Sequence, residues 1–437
     1  MSDLAIVGAT VVVGDGGDPR AATVVVDGGV VSALADPDAP VEADRVIRAS
    51  GSAVLPGFVD AHTHVASNLL LRGLLEDVEL FEWLATMWRL KRDFDHETLY
   101  WASMCGLVEM ARSGITCFNE HFDAYAVTPQ VRALSEVGLR ATLGYGFADG
   151  GVYAAVSDWS WAAIDDFDAA SAGASGIDGD RVRLALSPHA PYSCSEDLWR
   201  AVRSLADDRG LPIHTHVAEG LNETAYVAET YGRTTVEWLD DIGFLGPDVT
   251  AAHCTQLTAN DVALLAEHDV KVAHCPVCNA KLVSGTMDLR ALFEAGVTVG
   301  LATDGPASHN TIDTFQEMKF AAIVHKQATG DPTFLTTREC LGLATAGGAA
   351  AMHRPELGVI AVGAPADLAI VDLDRPHVAP VYDVEATLVY ASRADDVTHT
   401  IVGGEVVYGP DGVVGVDSER VVARFREHAL ALRDRCL

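Results

Sequence analysis

Eight short apolar runs recur along the middle of this chain, and six of them carry or lead into histidine or aspartate at their ends. They span 54–62, 115–120, 140–147, 182–188, 212–217, 249–254, 270–275 and 298–304. Each is continuously apolar and rich in β-branched residues, the pattern of strands covered on both faces, as in a parallel sheet. Between them lie stretches with apolar residues at helical spacing, such as 96–113 and 195–209. The second of these opens on Ser195, a helix-capping residue. Eight strands, each followed by helical sequence, predict an α/β fold of the TIM (β/α)8 barrel type.

The two ends read differently. Residues 4–34 and 358–415 are short alternating strands with glycine turns, the signature of antiparallel β-structure. The economical architecture is a small β-sandwich domain formed from both termini (residues 1–54 and 357–437) beside a barrel at 55–356, with 417–437 as a closing amphipathic helix. The chain of 437 residues is long enough for both.

In a barrel of this kind, side chains at the C-terminal strand ends face the reaction site. Here those ends carry His62-Thr63-His64, His189, His214-Thr215-His216 followed by Glu219, His253, His274 and Asp304. Packing does not explain histidine at so many apolar strand ends. Alternate strand residues point the same way, so His62 and His64 can meet one ion. By the same spacing His214 and His216 share a face, and spacing alone leaves open which of them is a ligand. Imidazoles plus a carboxylate suit one divalent ion, Zn2+ or Fe2+.

Composition limits the partners. Acidic residues number 62 against 30 basic ones, for a net charge of −32, and only five residues are lysine. No basic stripe exists to displace counterions from nucleic acid. The acids are spread through ordinary sequence, and the acid-rich, lysine-poor composition resembles that of halophilic proteins. Screening over about 3 Å in molar salt makes such a charge tolerable. No apolar run approaches the ~20 residues of a membrane span, and the first residues lack a secretory pattern, so a cytoplasmic protein is expected. The eight cysteines are scattered and read as reduced thiols, including Cys275 and Cys278.

The segments PGFVDAHTH, HTHVAE, AHC and TDGPAS resemble the amidohydrolase superfamily, more narrowly its deaminases and chlorotriazine hydrolases. The resemblance implies His62, His64, His216 and Asp304 as metal ligands, with His214 as a structural neighbour. It also implies Glu219 as proton shuttle, His253 at the centre where charge develops, and Asp304 as acceptor of the water proton. Binuclear relatives bridge their ions with a carboxylated lysine on a middle strand. Between His64 and His216 the only lysine is Lys91, outside any expected strand, so one ion is implied. Retention of every ligand together with Glu219 and His253 argues against a non-catalytic scaffold.

Further segments, including Glu82-Trp83-Leu84, Ser187-Pro188-His189 and Asn279-Ala280-Lys281-Leu282, resemble the S-adenosylhomocysteine and methylthioadenosine deaminase branch. That branch implies a small-molecule substrate of adenosine type, contacts from Trp83, His189, Glu219, His253 and Ser308, and a homo-oligomer. The alternatives are a deaminase of guanine, cytosine or pterin, and a triazine-type hydrolase releasing chloride or amine. Two departures bear on the substrate. The branch carries a ribose-binding glutamate after the tryptophan, where this chain has Met87-Trp88-Arg89-Leu90-Lys91-Arg92. It also uses arginines between strands three and four, where residues 148–180 contain none but hold Tyr153, Trp159 and Trp161. Arg89 and Arg92, where they face the pocket, would suit an oxygen-rich or anionic heterocycle.

Overall fold

The structure is a computed structural model. It describes residues 2–14, 16–74, 76–91, 94–122, 127–150, 167 and 180–436. The first half of the terminal module comprises β1 (Ser2–Val11), β2 (Arg20–Asp27), β3 (Val30–Ala35), β4 (Ala43–Arg48) and β5 (Ser52–Pro56). The barrel follows with β6 (Phe58–Thr63), β7 (Ile115–Phe122), β8 (Arg140–Phe147), β9 (Val182–Pro188), β10 (Ile213–Val217), β11 (Val249–His253), β12 (Lys271–His274) and β13 (Val299–Leu301). The chain then returns to the terminal module through β14 (Leu368–Asp372), β15 (Val397–Val402), β16 (Glu405–Gly409) and β17 (Gly412–Val413), and ends in the helix Ser418–Cys436.

The eight barrel strands pair in sequence order, all parallel. The ring closes where the Asp304 amide donates to the His62 carbonyl at 2.9 Å and Thr63 bridges Asp304. Closure thus sets the last strand's carboxylate beside the first strand's histidines. β6, β8, β10, β11 and β13 are buried along their full length, because helices cover the outside and side chains fill the centre. Those helices start where capping residues stand. Asp95 accepts from the Thr98 amide to open His96–Arg112, and Ser195 from the Leu198 amide to open Glu196–Arg209.

The first apolar run, 54–62, serves two sheets. Ser52–Pro56 pairs with β14 and β1 in the terminal sheet, and the barrel begins at Phe58. The switch falls at Gly57, where a Cβ would lie 2.1 Å from the Thr116 methyl, so no side chain fits. The terminal sheet therefore reaches Pro56, two residues past the boundary at 54. It is also mixed, not purely antiparallel, since β1 pairs parallel with β4 and β5. Its nine strands enclose their own apolar core, with Leu4, Ile6, Val24, Val26, Leu368 and Ile401 fully buried. Among the described residues no helix is long and apolar enough to cross a membrane.

Candidate active site

At the C-terminal mouth of the barrel a small cavity is lined by His64, Trp83, His121, His189, His216, Glu219, His253, Asp304 and Ser308, among others. Every site residue expected from the sequence lines it except His62, which lies fully buried at its floor.

The floor brings the proposed ligands together. Asp304 Oδ1 lies 3.4 Å from His62 Nε2 and 3.5 Å from His64 Nε2, and His64 Nε2 lies 3.2 Å from His216 Nε2. The donor atoms fall into three overlapping triads, His62–His64–Asp304, His62–His216–His253 and His64–His121–His216, each within 4.8 Å. The rings are held from behind. His62 Nδ1 meets His214 Nε2 at 2.8 Å, and His216 Nδ1 donates to the His189 carbonyl at 2.7 Å. Both bonds turn an Nε2 toward the common centre. Among the described residues His62 Nε2 has no hydrogen-bond partner, a buried nitrogen turned toward the position an ion would take. Burial lowers the basicity of His62, and lowers that of His64, His214 and His216 strongly. Neutral imidazole is the ligating form. The donor set fits a divalent ion.

Asp304 is anchored on its other side. Its Oδ1 accepts from the Gly305 amide at 2.6 Å and its Oδ2 from Ser308 Oγ at 3.0 Å. Ser308 thus faces the cavity and also holds the carboxylate. Burial pushes the Asp304 carboxyl up, but the surrounding histidines outweigh it and hold the group well below the usual range.

Glu219 and His253 face each other across the mouth, with Oε1 4.0 Å from Nε2. Burial raises the Glu219 carboxyl, opposed by His253. Burial pulls His253 down, but the Glu219 and Asp304 carboxylates and the Asn279 bond leave it raised. His253 Nδ1 lies 2.9 Å from Asn279 Oδ1, which turns Nε2 into the cavity. Glu219 hangs on a strained turn. Ala218 is left-handed at φ 49°, and the Ala218 and Glu219 amides both donate to the buried Glu223 carboxylate, at 2.7 and 3.0 Å. His253 at φ 74° and Asp304 at φ 58° are also left-handed. Three non-glycine residues in that region at three strand ends mark backbone held in place for function.

Sequence reasoning did not find His121, Trp88, Glu223 or Asn279, nor a cavity role for Lys91. His121 escaped because β7 runs two residues past the expected end at 120, and the "NEH" that closes it was the available signal. Its ring centroid lies 4.4 Å from that of His216. Glu120 faces the other way, accepting from the Val65 and Ala66 amides, so it offers no bridge to a second ion. His274 also turns away, pairing with His325 at 2.8 Å. Arg89 is exposed and bonds Thr86, so it does not serve the pocket. Arg92, Tyr153, Trp159 and Trp161 lie outside the described residues. Cys275 and Cys278 are buried, free thiols, and burial raises both.

A parallel barrel whose mouth gathers histidines and two acidic groups has the form of a metal-dependent hydrolase. The chain belongs to the amidohydrolase family, whose model matches residues 53–407. It is 37% identical over 420 residues to a 5′-deoxyadenosine deaminase of Methanosarcina acetivorans, covering 95% of this chain and 94% of that one. It is 41% identical over 369 residues to a 5-methylthioadenosine/S-adenosylhomocysteine deaminase of Thermococcus kodakarensis, covering 84% of each. Among solved structures, a zinc-bound adenosine deaminase from Xanthomonas campestris superposes with a TM-score of 0.93 at 31% identity, over 99% of both chains. An atrazine chlorohydrolase from Arthrobacter aurescens, complexed with zinc, gives 0.88 at 25% identity, over 98% of this chain and 100% of that one.

Proposed function

We propose that this chain is a hydrolytic deaminase of an adenosine-type aromatic amine, working with one divalent ion, Zn2+, held by His62, His64, His216 and Asp304. The observation that carries the reading is Glu219 and His253 facing each other over the Asp304 carboxylate, with the imidazole floor beneath. Relatives named as adenosine-type deaminases, 36–41% identical over most of the chain, support the substrate class.

A divalent ion held by this set supplies a Lewis acid that brings the pKa of water toward neutrality. The remaining steps fall to the chain's own residues. Asp304, anchored by Ser308 and the Gly305 amide, takes the proton of the attacking water. Glu219, its carboxyl raised by burial, carries a proton to the ring nitrogen and then to the departing ammonia. His253, fixed by Asn279, faces the carbon under attack and stabilises the charge that develops there. Trp83 and His189 line the walls that position the ring. Water adds at the amine-bearing carbon, the C–N bond breaks, and the products are the oxo heterocycle and ammonia.

The test is ammonia release from zinc-loaded protein across adenosine derivatives, guanine, cytosine and pterins, in molar salt because of the charge of −32. Turnover concentrated among the adenosine derivatives is expected. Turnover only of a chlorinated or alkylated triazine would replace deamination with the triazine-hydrolase reading.

A further inference from the structure

We propose that His121, near the end of β7, is a fifth protein ligand of the divalent ion, beside His62, His64, His216 and Asp304. The inference rests on the metal reading of the floor. It goes beyond that reading by adding a residue that neither the family resemblance nor the strand-end pattern supplied.

Strand geometry delivers His121 to the floor. Successive side chains of a strand point to opposite faces. Glu120 goes to the Val65 and Ala66 amides, so the pleat turns His121 the other way. There it is 2% exposed and lines the catalytic cavity. Its ring centroid lies 4.4 Å from that of His216 and 5.3 Å from that of His64. The donor nitrogens of these three rings lie within 4.8 Å of one another. Ligands of one ion stand about 3 to 4.2 Å apart at Zn–N lengths of about 2.1 Å. His64 and His216 are already at 3.2 Å, and His121 is at most about 0.6 Å outside that range.

The second observation is an orphaned nitrogen. His121 Nε2 is buried and has no hydrogen-bond partner among the described residues. Leaving a buried polar atom unsatisfied costs about 1–3 kcal/mol. An apolar side chain at this position of β7 would pack without that cost, so packing does not account for an imidazole here. His62 Nε2 is in the same state, and His62 is already a proposed ligand. Both rings flank the His64–His216 pair. A cation at the floor satisfies both orphaned nitrogens at once.

A second ion does not account for His121. It would have to take Nε2 of His64 and His216, which already serve the first ion, and an imidazole nitrogen has one lone pair to give. His216 Nδ1 is committed to the His189 carbonyl. Glu120, the carboxylate next to His121, is turned away and offers no bridge. One ion with a shell of four imidazoles and one carboxylate uses every donor once.

The competing fourth imidazole is His253, whose donor lies within 4.8 Å of those of His62 and His216. X-ray absorption at the zinc edge counts imidazoles per ion and separates the two. The samples are full-length, zinc-loaded wild type, His121→Phe, His121→Gln and His253→Gln, with zinc content from elemental analysis. The wild type should show four imidazoles per zinc, both His121 variants three, and His253→Gln four. The His121 variants should also bind zinc about 10- to 100-fold more weakly against a chelating dye. Should neither His121 variant fold, the wild-type and His253→Gln counts decide between the two histidines. Three imidazoles in the wild type, or a fourth that disappears with His253 and survives loss of His121, overturns the proposal while the metal reading stands. A wild type that takes up no stoichiometric zinc overturns both.

Discussion

His214 Nε2 lies 2.8 Å from His62 Nδ1, the two rings perpendicular at 90°. If His62 offers Nε2 to an ion, its Nδ1 carries the proton and donates to His214. That fixes both tautomers, with the proton of His214 on a buried Nδ1 that lacks a partner among the described residues. A buried donor is left unsatisfied to keep one ring oriented, which marks His214 as a positioning residue. His214→Ala should lower zinc affinity about 10- to 100-fold while the fold persists. Competition with a chelating dye measures the affinity, and circular dichroism checks the fold. Unchanged zinc affinity would remove His214 from the site's support.

Glu219 should separate chemistry from metal binding. Among the described residues it makes no hydrogen bond or ion pair to the four proposed ligands, and its ion-pair partner is His253 at 4.0 Å. Glu219→Gln keeps the shape and deletes the proton carrier. Turnover should fall about 10²- to 10⁴-fold, with zinc still near one per chain by elemental analysis. A fully active variant would end the shuttle assignment.

The Glu223 carboxylate accepts two amides of the strained Ala218–Glu219 turn and the Thr235 hydroxyl at 2.9 Å. Glu223→Ala strands those donors in the interior, at about 1–3 kcal/mol each. Urea unfolding should show a loss of at least about 2 kcal/mol. Turnover should drop in the folded variant while zinc stoichiometry holds, because the turn carries Glu219 and not the proposed ligand His216. Wild-type stability and turnover together would show that the turn holds without this bracket.

What the sequence made legible follows from where its information lies. Barrel strands are continuous apolar runs, and histidine at their ends is conspicuous, so His62, His64, His216, His253 and Asp304 could be placed at one mouth before any coordinates. Strand length is less visible. β7 continues through the polar Glu120-His121, and the extra residues are fixed by pairing with β8, a long-range fact. The supports Asn279 and Glu223 sit inside helices or helix starts, where a polar residue looks like any other. The inward turn of Lys91 depends on how its helix docks over the mouth. The stretch after Trp83 offered Arg89 and Arg92 for a cationic pocket wall; Arg89 is exposed, and nearby Lys91 lines the cavity instead. The split of 54–62 between two sheets was likewise hidden, since both sheets want apolar β-branched sequence and only the contact at Gly57 separates them.

His274 and His325 give the pH prediction that lies away from the proposed ligands. Their Nε2 atoms meet at 2.8 Å in the interior. Burial lowers His274 strongly and brings His325 down to about 4, from the ordinary 6.5. The sign follows from proton counts. Between those values the unfolded chain protonates both rings and the folded chain neither, so stability is full above about 6.5 and drains as pH falls toward 4. Each ring withholding one proton costs about 1.4 kcal/mol per pH unit, or about 2 kcal/mol per ring between pH 6.5 and 5. His325→Gln can keep a hydrogen bond to His274 but removes one titrating ring. Groups away from the pair titrate alike in both proteins and cancel in the difference, and burial, the largest cause, holds His274 down in both. From pH 7 to pH 5, urea unfolding of the wild type should therefore lose about 2 kcal/mol more than that of His325→Gln. Parallel losses in the two proteins would mean that His325 takes its proton in the folded state, and that the interior around the pair admits charge.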